Sequence, residues 1–161
     1  MSRAVAIDLD GALGDTRPLW ADFLADAARR FGSIAKLDPS ALPADRGTAA
    51  AELDRWAAAG IGDWRSALER FAEDRAPVYL RPRADVSAAL RALAISGWRI
   101  GVFTDAPEPL ARVALAHLGA ARRVDALAAG ADARERLLQQ LGSAAEIVET
   151  PEALAKIRAD A

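Results

Sequence analysis

The chain alternates between short apolar runs and longer stretches in which apolar residues recur every three or four positions. Four runs have the form of buried strands. Ala4 to Ile7 is continuously apolar and ends in the polar turn residues of DLDG. Arg99 to Phe103 has the same form and stops at Thr104-Asp105-Ala106-Pro107, while Arg123 to Leu127 and Ala145 to Val148 are weaker versions. Helical patterns lie between them. Asp85 to Ile95 sets Val86, Leu90 and Leu93 on one face, and Pro107 to Leu118 follows the second strand. Asp132 to Leu141 opens with Asp132 as its expected cap and Glu135 three residues on, which is capping-box spacing. The last helix starts at Thr150-Pro151, a cap followed by proline in the first turn. Strands alternating with helices predict an α/β fold: three layers, with a mostly parallel sheet of about four strands between helices.

Residues 16–80 break that alternation. They hold no convincing strand and three amphipathic helical stretches. The first places Trp20, Phe23, Leu24, Ala27 and Phe31 on one stripe; the second carries Ala49, Leu53, Trp56 and Ala57; the third carries Trp64, Ala67, Leu68 and Phe71. Pro39, Pro43, Gly60 and Gly62 separate them. The expectation is a helical cap insertion at 16–80 within a core made of 1–15 and 81–161, its aromatic stripes forming the insertion's own core.

Composition narrows the chemistry. With 161 residues the chain is long enough to bury a real core. Its net charge of -2 gives no attraction to nucleic acid or to an anionic membrane, and neither is expected as a partner. Having no cysteine, it has no disulfides, no zinc thiolate site and no thiol catalysis. No apolar run approaches the roughly 20 residues needed to span a bilayer, and the N-terminus lacks a signal-peptide pattern, so a cytoplasmic location is expected. Lysine is scarce: only Lys36 and Lys156 are present.

Asp8 and Asp10 are two residues apart at the end of the first strand, so their side chains are expected to project together from the sheet's C-terminal edge. That edge is where ligands bind in parallel α/β sheets. Two such carboxylates repel unless a cation lies between them or one takes a proton, and hard divalent cations favour oxygen ligands of this kind. A carboxylate can also attack phosphorus to form an aspartyl phosphate, while its neighbour transfers protons. Gly11 lets the backbone turn away from the strand. A calcium-binding EF-hand loop also begins D-x-D, but it needs glycine at its sixth position and a preceding helix. Here glycine comes fourth and a strand precedes. A pair of solvated turn aspartates is the remaining alternative.

The longer string VAIDLDGALGDT resembles the first signature of the haloacid dehalogenase superfamily, in particular the phosphoglycolate-phosphatase-like branch with a helical cap. That resemblance implies a Rossmann-like core, Mg2+ as cofactor and a small phosphate monoester as substrate. Asp8 is then the nucleophile, and Asp10 the general acid/base with its backbone carbonyl on the metal. Asp15 is expected to tie down the loop and the next helix. IGVFTDAP resembles the second motif, making the Thr104 hydroxyl and the Asp105 amide phosphate-binding groups. The third motif's lysine has no counterpart, and Arg134 is the nearest substitute, with Arg122, Arg123 and Arg136 as alternatives. EIVETPEAL resembles a G-D-T-P-E-D-L fourth motif in which Glu149 takes the metal-binding aspartate's place and Ala153 that of the second aspartate. The metal set implied is Asp8, Asp10 and Glu149. His117, the lone histidine, shares a helix face with Leu110 and Val113 and reads as a packed boundary residue. The family's usual final strand is missing, leaving a sheet edge against which a second copy of the chain could pair as a homodimer. The eroded third and fourth motifs also fit a rival function, a degenerate member that binds a phosphorylated ligand or a protein partner without turnover.

Overall fold

The structure is a computed structural model that describes residues 2–35 and 45–160; Lys36, Pro39 and Pro43 lie outside them. Strands β1 (Ala4–Asp8), β2 (Arg99–Thr104), β3 (Ala126–Ala129) and β4 (Glu146–Val148) form one parallel sheet in the order β3-β2-β1-β4. The expected strands are present, with one shift. Arg122 and Arg123 belong to a short helical turn, so β3 begins three residues later than its expected Arg123 start. Helices α1 (Arg17–Ala35), α2 (Arg46–Trp56) and α3 (Trp64–Tyr79) lie between β1 and β2 in the chain, followed by α4 (Ala84–Ile95). Helix α5 (Glu108–His117) connects β2 to β3, α6 (Ala133–Leu141) connects β3 to β4, and α7 (Pro151–Asp160) ends the described chain.

Strand alternation sorts β1 between two cores. Val5 and Ile7 pack with Ile100, Val102, Val148, Leu90, Leu93, Leu115 and Leu154 on one face. Ala4 and Ala6 face the other way, against Leu137 and Leu141 of α6. Small residues on this second side let α6 lie close: a β-carbon on Gly101 would come within 2.6 Å of Leu141 and 2.8 Å of Leu137. Both faces are therefore covered, as a parallel sheet requires.

Helices α1–α3 carry a cluster of their own. Trp20, Phe23, Leu53, Trp56, Trp64 and Leu68 are all buried in it, and Ala106 and Leu110 at the start of α5 join it from below. Two of the three indole nitrogens are satisfied, Trp56 by Glu52 and Trp64 by Asp54, each at 2.9 Å. Among the described residues Trp20 Nε1 is the buried side-chain polar atom without a hydrogen-bond partner. The Tyr79 hydroxyl donates to Asp22, tying α3 to α1.

Helix ends partly match their sequence signals. Thr150 accepts from the Ala153 amide at 3.1 Å, the expected cap of α7. The capping box at Asp132 does not form. Asp132 takes a left-handed conformation (φ 54°) and makes no side-chain cap bond, because Gly130 and Asp132 together fold the β3–α6 connection tightly. No described helix is long and apolar enough to cross a membrane.

Leu137 is fully buried between α6 and the sheet. Leu137→Ala is expected to cost about 2–5 kcal/mol of stability, measured as a shift in denaturant midpoint at unchanged slope.

Candidate active site

The strand register brings the chemistry to one edge. Asp8 pairs with Phe103, Thr104 with Ala129, and Ile7 with Val148, so Asp8, Thr104 and Glu149 all end strands at the same level. The chain runs from β1 to β2 and β3 on one side and returns to β4 on the other. The order therefore reverses beside β1, at the crevice where such sheets bind ligands.

After Asp8 the backbone turns sharply through Leu9–Leu13. Gly11 adopts φ 148°, and a β-carbon there would stand 2.7 Å from the Glu149 carbonyl oxygen. Glycine at this position thus does more than turn the chain. It lets the loop press against the end of β4 and brings Glu149 up beside Asp8.

The turn also separates the two aspartates. Asp8 stays half-buried in a cleft of about 550 Å³ that Asp10, Arg17, Arg46, Thr104, Asp105 and Arg134 also line. Among the described residues its carboxylate accepts one hydrogen bond, from the Asp10 amide at 3.1 Å. Burial pushes the Asp8 carboxyl up to about 6, helped by the negative charges of Asp10, Glu149 and Asp105; the bond from the Asp10 amide acts the other way.

Asp10 is in the opposite condition. Its side chain is 7 % exposed and fully engaged. Oδ1 accepts from the Thr16 amide at 2.7 Å and the Thr16 hydroxyl at 2.6 Å, and Oδ2 accepts from Arg46 Nη2 at 2.5 Å and the Thr104 hydroxyl at 2.7 Å. Burial alone would raise this carboxyl, but the Arg46 charge and the Thr16 and Arg46 hydrogen bonds outweigh it and hold the group below the ordinary range.

Arg46 is the site residue that the sequence did not reveal. It is the first residue of α2, its side chain is 5 % exposed, and it also donates to Thr16 Oγ1 at 2.7 Å and to Asp105. An arginine after a capping aspartate on a polar helix start gives no signal of burial. The shortage of lysine near the motifs was the available hint that the charge comes from elsewhere.

The remaining candidates fall into two groups. Thr104 is at the site and 2 % exposed, but its hydroxyl proton is given to Asp10 while its oxygen accepts from the Ala106 amide at 3.1 Å. Asp105 is exposed and its carboxylate pairs with Arg46. Arg134 stands on the cleft wall and reaches Glu149 at 3.4 Å, with both side chains about half exposed. Asp15 caps locally, accepting from the Arg17 amide and guanidinium at 3.1 and 2.8 Å. The other arginines are engaged or remote. Arg136 donates to the Ala129 and Ala131 carbonyls, Arg123 to the Gly119 carbonyl, and Arg122 is exposed on its turn. Lys156 is exposed on α7. His117 hydrogen-bonds through Nε2 to the Leu80 carbonyl at 3.0 Å, where α3 hands over to the core, as a boundary residue would.

Among the described residues no three acidic or histidine side chains converge closely enough to hold a metal ion. A smaller donor set could take a hard cation: the Asp8 carboxylate, the Asp10 carbonyl, and Glu149, whose backbone the loop meets at Gly11 and whose charge acts on Asp8. Mg2+ commonly binds one or two carboxylates and completes its shell with water and substrate phosphate. The Glu149 charge helps to raise the Asp8 carboxyl, and a cation beside Asp8 relieves that repulsion.

Comparison with known proteins agrees with this fold. The family model for haloacid dehalogenase-like hydrolases matches residues 2–156. A haloacid dehalogenase-type phosphatase from Thermococcus onnurineus superposes with a TM-score of 0.54 at 18 % identity, covering 96 % of this chain and 97 % of its own. A Thermotoga maritima chain provisionally assigned as a beta-phosphoglucomutase gives 0.55 at 15 % identity, covering 98 % and 99 %. At these identities the likeness is one of fold. No curated protein matches the sequence.

Asp8 makes metal-free stability depend on pH. Its folded carboxyl binds a proton up to about pH 6, against 3.8 ordinarily. The stabilisation is thus complete below about pH 4 and lost as pH rises through 6. Asp8→Asn is expected to raise the melting temperature above pH 7 by roughly 2–4 °C, about 1 kcal/mol after allowing for solvent screening of a half-exposed group. The gain should vanish below pH 4. Melting curves in chelator across that range test it, and a lowered melting temperature at pH 8 would show that the charged carboxylate is welcome there.

Proposed function

The chain belongs to the haloacid dehalogenase-like hydrolases, and we propose that it hydrolyses a small phosphate monoester through an aspartyl phosphate on Asp8. The observation that carries this reading is the contrast at the end of β1. Asp8 faces an open cleft with no cationic side chain bonded to it among the described residues, while Asp10 is immobilised behind it. A nucleophile must be accessible and unspent; a proton-transfer group must be fixed within reach of the reacting oxygens.

Members of the family generally use Mg2+. Here the Asp8 and Glu149 carboxylates with the Asp10 carbonyl would hold it, and its charge would hold Asp8 ionised and offset the phosphate's. An Asp8 carboxylate oxygen attacks phosphorus as the bond to the leaving oxygen breaks, and that oxygen takes a proton from Asp10. In the second half Asp10 accepts a proton from water, whose oxygen attacks the phospho-Asp8 phosphorus, releasing inorganic phosphate and restoring Asp8. Asp10 needs its proton for the first half, and the ion pair with Arg46 disfavours it in the unliganded site. An arriving phosphate dianion adds negative charge beside Asp10 and shifts that balance upward. The same ion pair is the observation that favours the rival reading, a site that binds phosphorylated ligands without turning them over. Helices α1–α3, as the cap, would close the cleft over the substrate and exclude water.

Turnover of p-nitrophenyl phosphate and small phosphate esters with Mg2+ separates the two. The phosphatase reading expects activity that chelator abolishes and that Asp8→Asn lowers by about a thousandfold or more. Undiminished activity in Asp8→Asn removes the nucleophile assignment. A folded native chain that hydrolyses none of these esters leaves the binding reading.

A further inference from the structure

We infer that Arg46, carried by the helices between β1 and β2, supplies the positive charge that a bound phosphoryl group requires, in place of a lysine from the α/β core. This inference rests on the phosphoryl-transfer reading above, which used Arg46 only as the partner of Asp10.

Its first support is burial. A charged side chain is almost never taken out of water unless it is paired, and Arg46 is 5 % exposed on the wall of the cleft that holds Asp8. Its pairing is aimed at the site itself. Nη2 bridges Asp10 at the end of β1 and Asp105 just after β2, and Nη1 holds the Thr16 hydroxyl. These three bonds use three of the five guanidinium hydrogens. Two remain without an acceptor among the described residues, one on Nε and one on Nη1, on a guanidinium that three anchors hold in place. A guanidinium held in one orientation offers its charge and a single remaining donor to a phosphate oxygen with less ordering than a flexible ammonium needs.

The second support is elimination among the other cations of the described residues. Arg134 is 46 % exposed and lies on Glu149, Arg17 is 66 % exposed and pairs with Asp15, and Arg136 is used on backbone carbonyls. None combines burial with contact to the aspartates. Arg46 also lies on the boundary between the Asp8 cleft and a second cavity of about 650 Å³ beneath α2, lined by Ala50, Pro107 and Ala131. A phosphoryl group in the first with its leaving group toward the second passes against the guanidinium.

Position on α2 adds a consequence. The cation is present only while helices α1–α3 rest on the core through Ala106 and Leu110. Charge and closure therefore arrive together, and a displaced helical unit leaves the nucleophile without its counter-charge.

Inorganic phosphate with Mg2+ is the probe, its affinity for the native chain, Arg46→Ala and Arg46→Lys read by calorimetry, with circular dichroism as the check on folding. Arg46→Ala is expected to weaken phosphate by roughly tenfold or more, and added guanidinium to restore part of it. Arg46→Lys keeps a charge without the full set of anchoring bonds and should fall between, which also covers the case in which the alanine variant fails to fold. Native-like affinity in Arg46→Ala, or a loss confined to Arg134→Ala, overturns the inference. A native chain that binds phosphate but hydrolyses no ester sinks the phosphatase reading alone, while one that binds no phosphate sinks both.

Discussion

Burying the Asp10 carboxylate constrains everything around it. An ionised carboxylate taken out of water costs several kcal/mol unless donors replace the lost hydration. Here four donors do so, from three parts of the chain: the amide and hydroxyl of Thr16, the hydroxyl of Thr104 and the guanidinium of Arg46. The loop after β1 must therefore curl back to bring Thr16 within reach. The end of β2 must lie level with the end of β1, as the register has it, and α2 must start directly above both. One buried charge thus ties the sheet edge, the loop and the helical unit to a common geometry.

The same constraint gives the two aspartates different chemistry from similar sequence surroundings. Residues two apart on a regular strand would share a face and an environment. The turn at Leu9–Leu13, with Gly11 in a conformation that side chains disfavour, ends the strand between them. Asp8 remains at the strand end, near other carboxylates and, among the described residues, without a cation bonded to it; Asp10 swings into the donors. Burial raises the proton affinity of both, and only Asp10 has enough compensating partners to reverse it. The split in the unliganded site runs opposite to the one a proton-donating Asp10 and a nucleophilic Asp8 require, so a bound phosphate and cation would have to reverse it.

What could be read from the sequence follows from whether a signal is local. β1, β2 and the D-x-D-G turn were legible because a buried strand and its exit are written in consecutive residues. The aromatic stripes of α1–α3 were legible as a core because helical periodicity is local too. β3 was misplaced by three residues because its segment, Ala126–Ala129, is rich in alanine, which favours strands weakly, while Arg122 and Arg123 look no less extended on paper. The Asp132 cap failed because the backbone there is decided by the tight β3–α6 connection, not by the side chain's preference. Arg46 was illegible for a deeper reason. Its burial depends on Asp10 and Asp105, 36 and 59 residues away in the chain, and nothing next to it in sequence distinguishes it from a solvated arginine. The reason for Gly11 was half legible: the turn was expected, the pressure of Glu149 was not.

The departures from the family's third and fourth motifs look different once their surroundings are known. Arg134 and Glu149 are each other's partners, at 3.4 Å and with about half of each side chain in water. An exposed pair of this kind contributes about 0–1 kcal/mol, so either member is free to turn to a ligand at little cost. The Arg46–Asp10 pair is buried, and removing one member would leave an uncompensated charge worth about 3–5 kcal/mol. One pair is therefore adjustable and the other is part of the fold. A site whose buried cation is fixed while its Glu149 carboxylate is loosely held can keep its architecture and still reorganise around a phosphate. Eroded motifs at Arg134 and Glu149 consequently weigh less against activity than their spelling suggests, because the position that most needs a fixed charge is filled from the opposite side of the cleft.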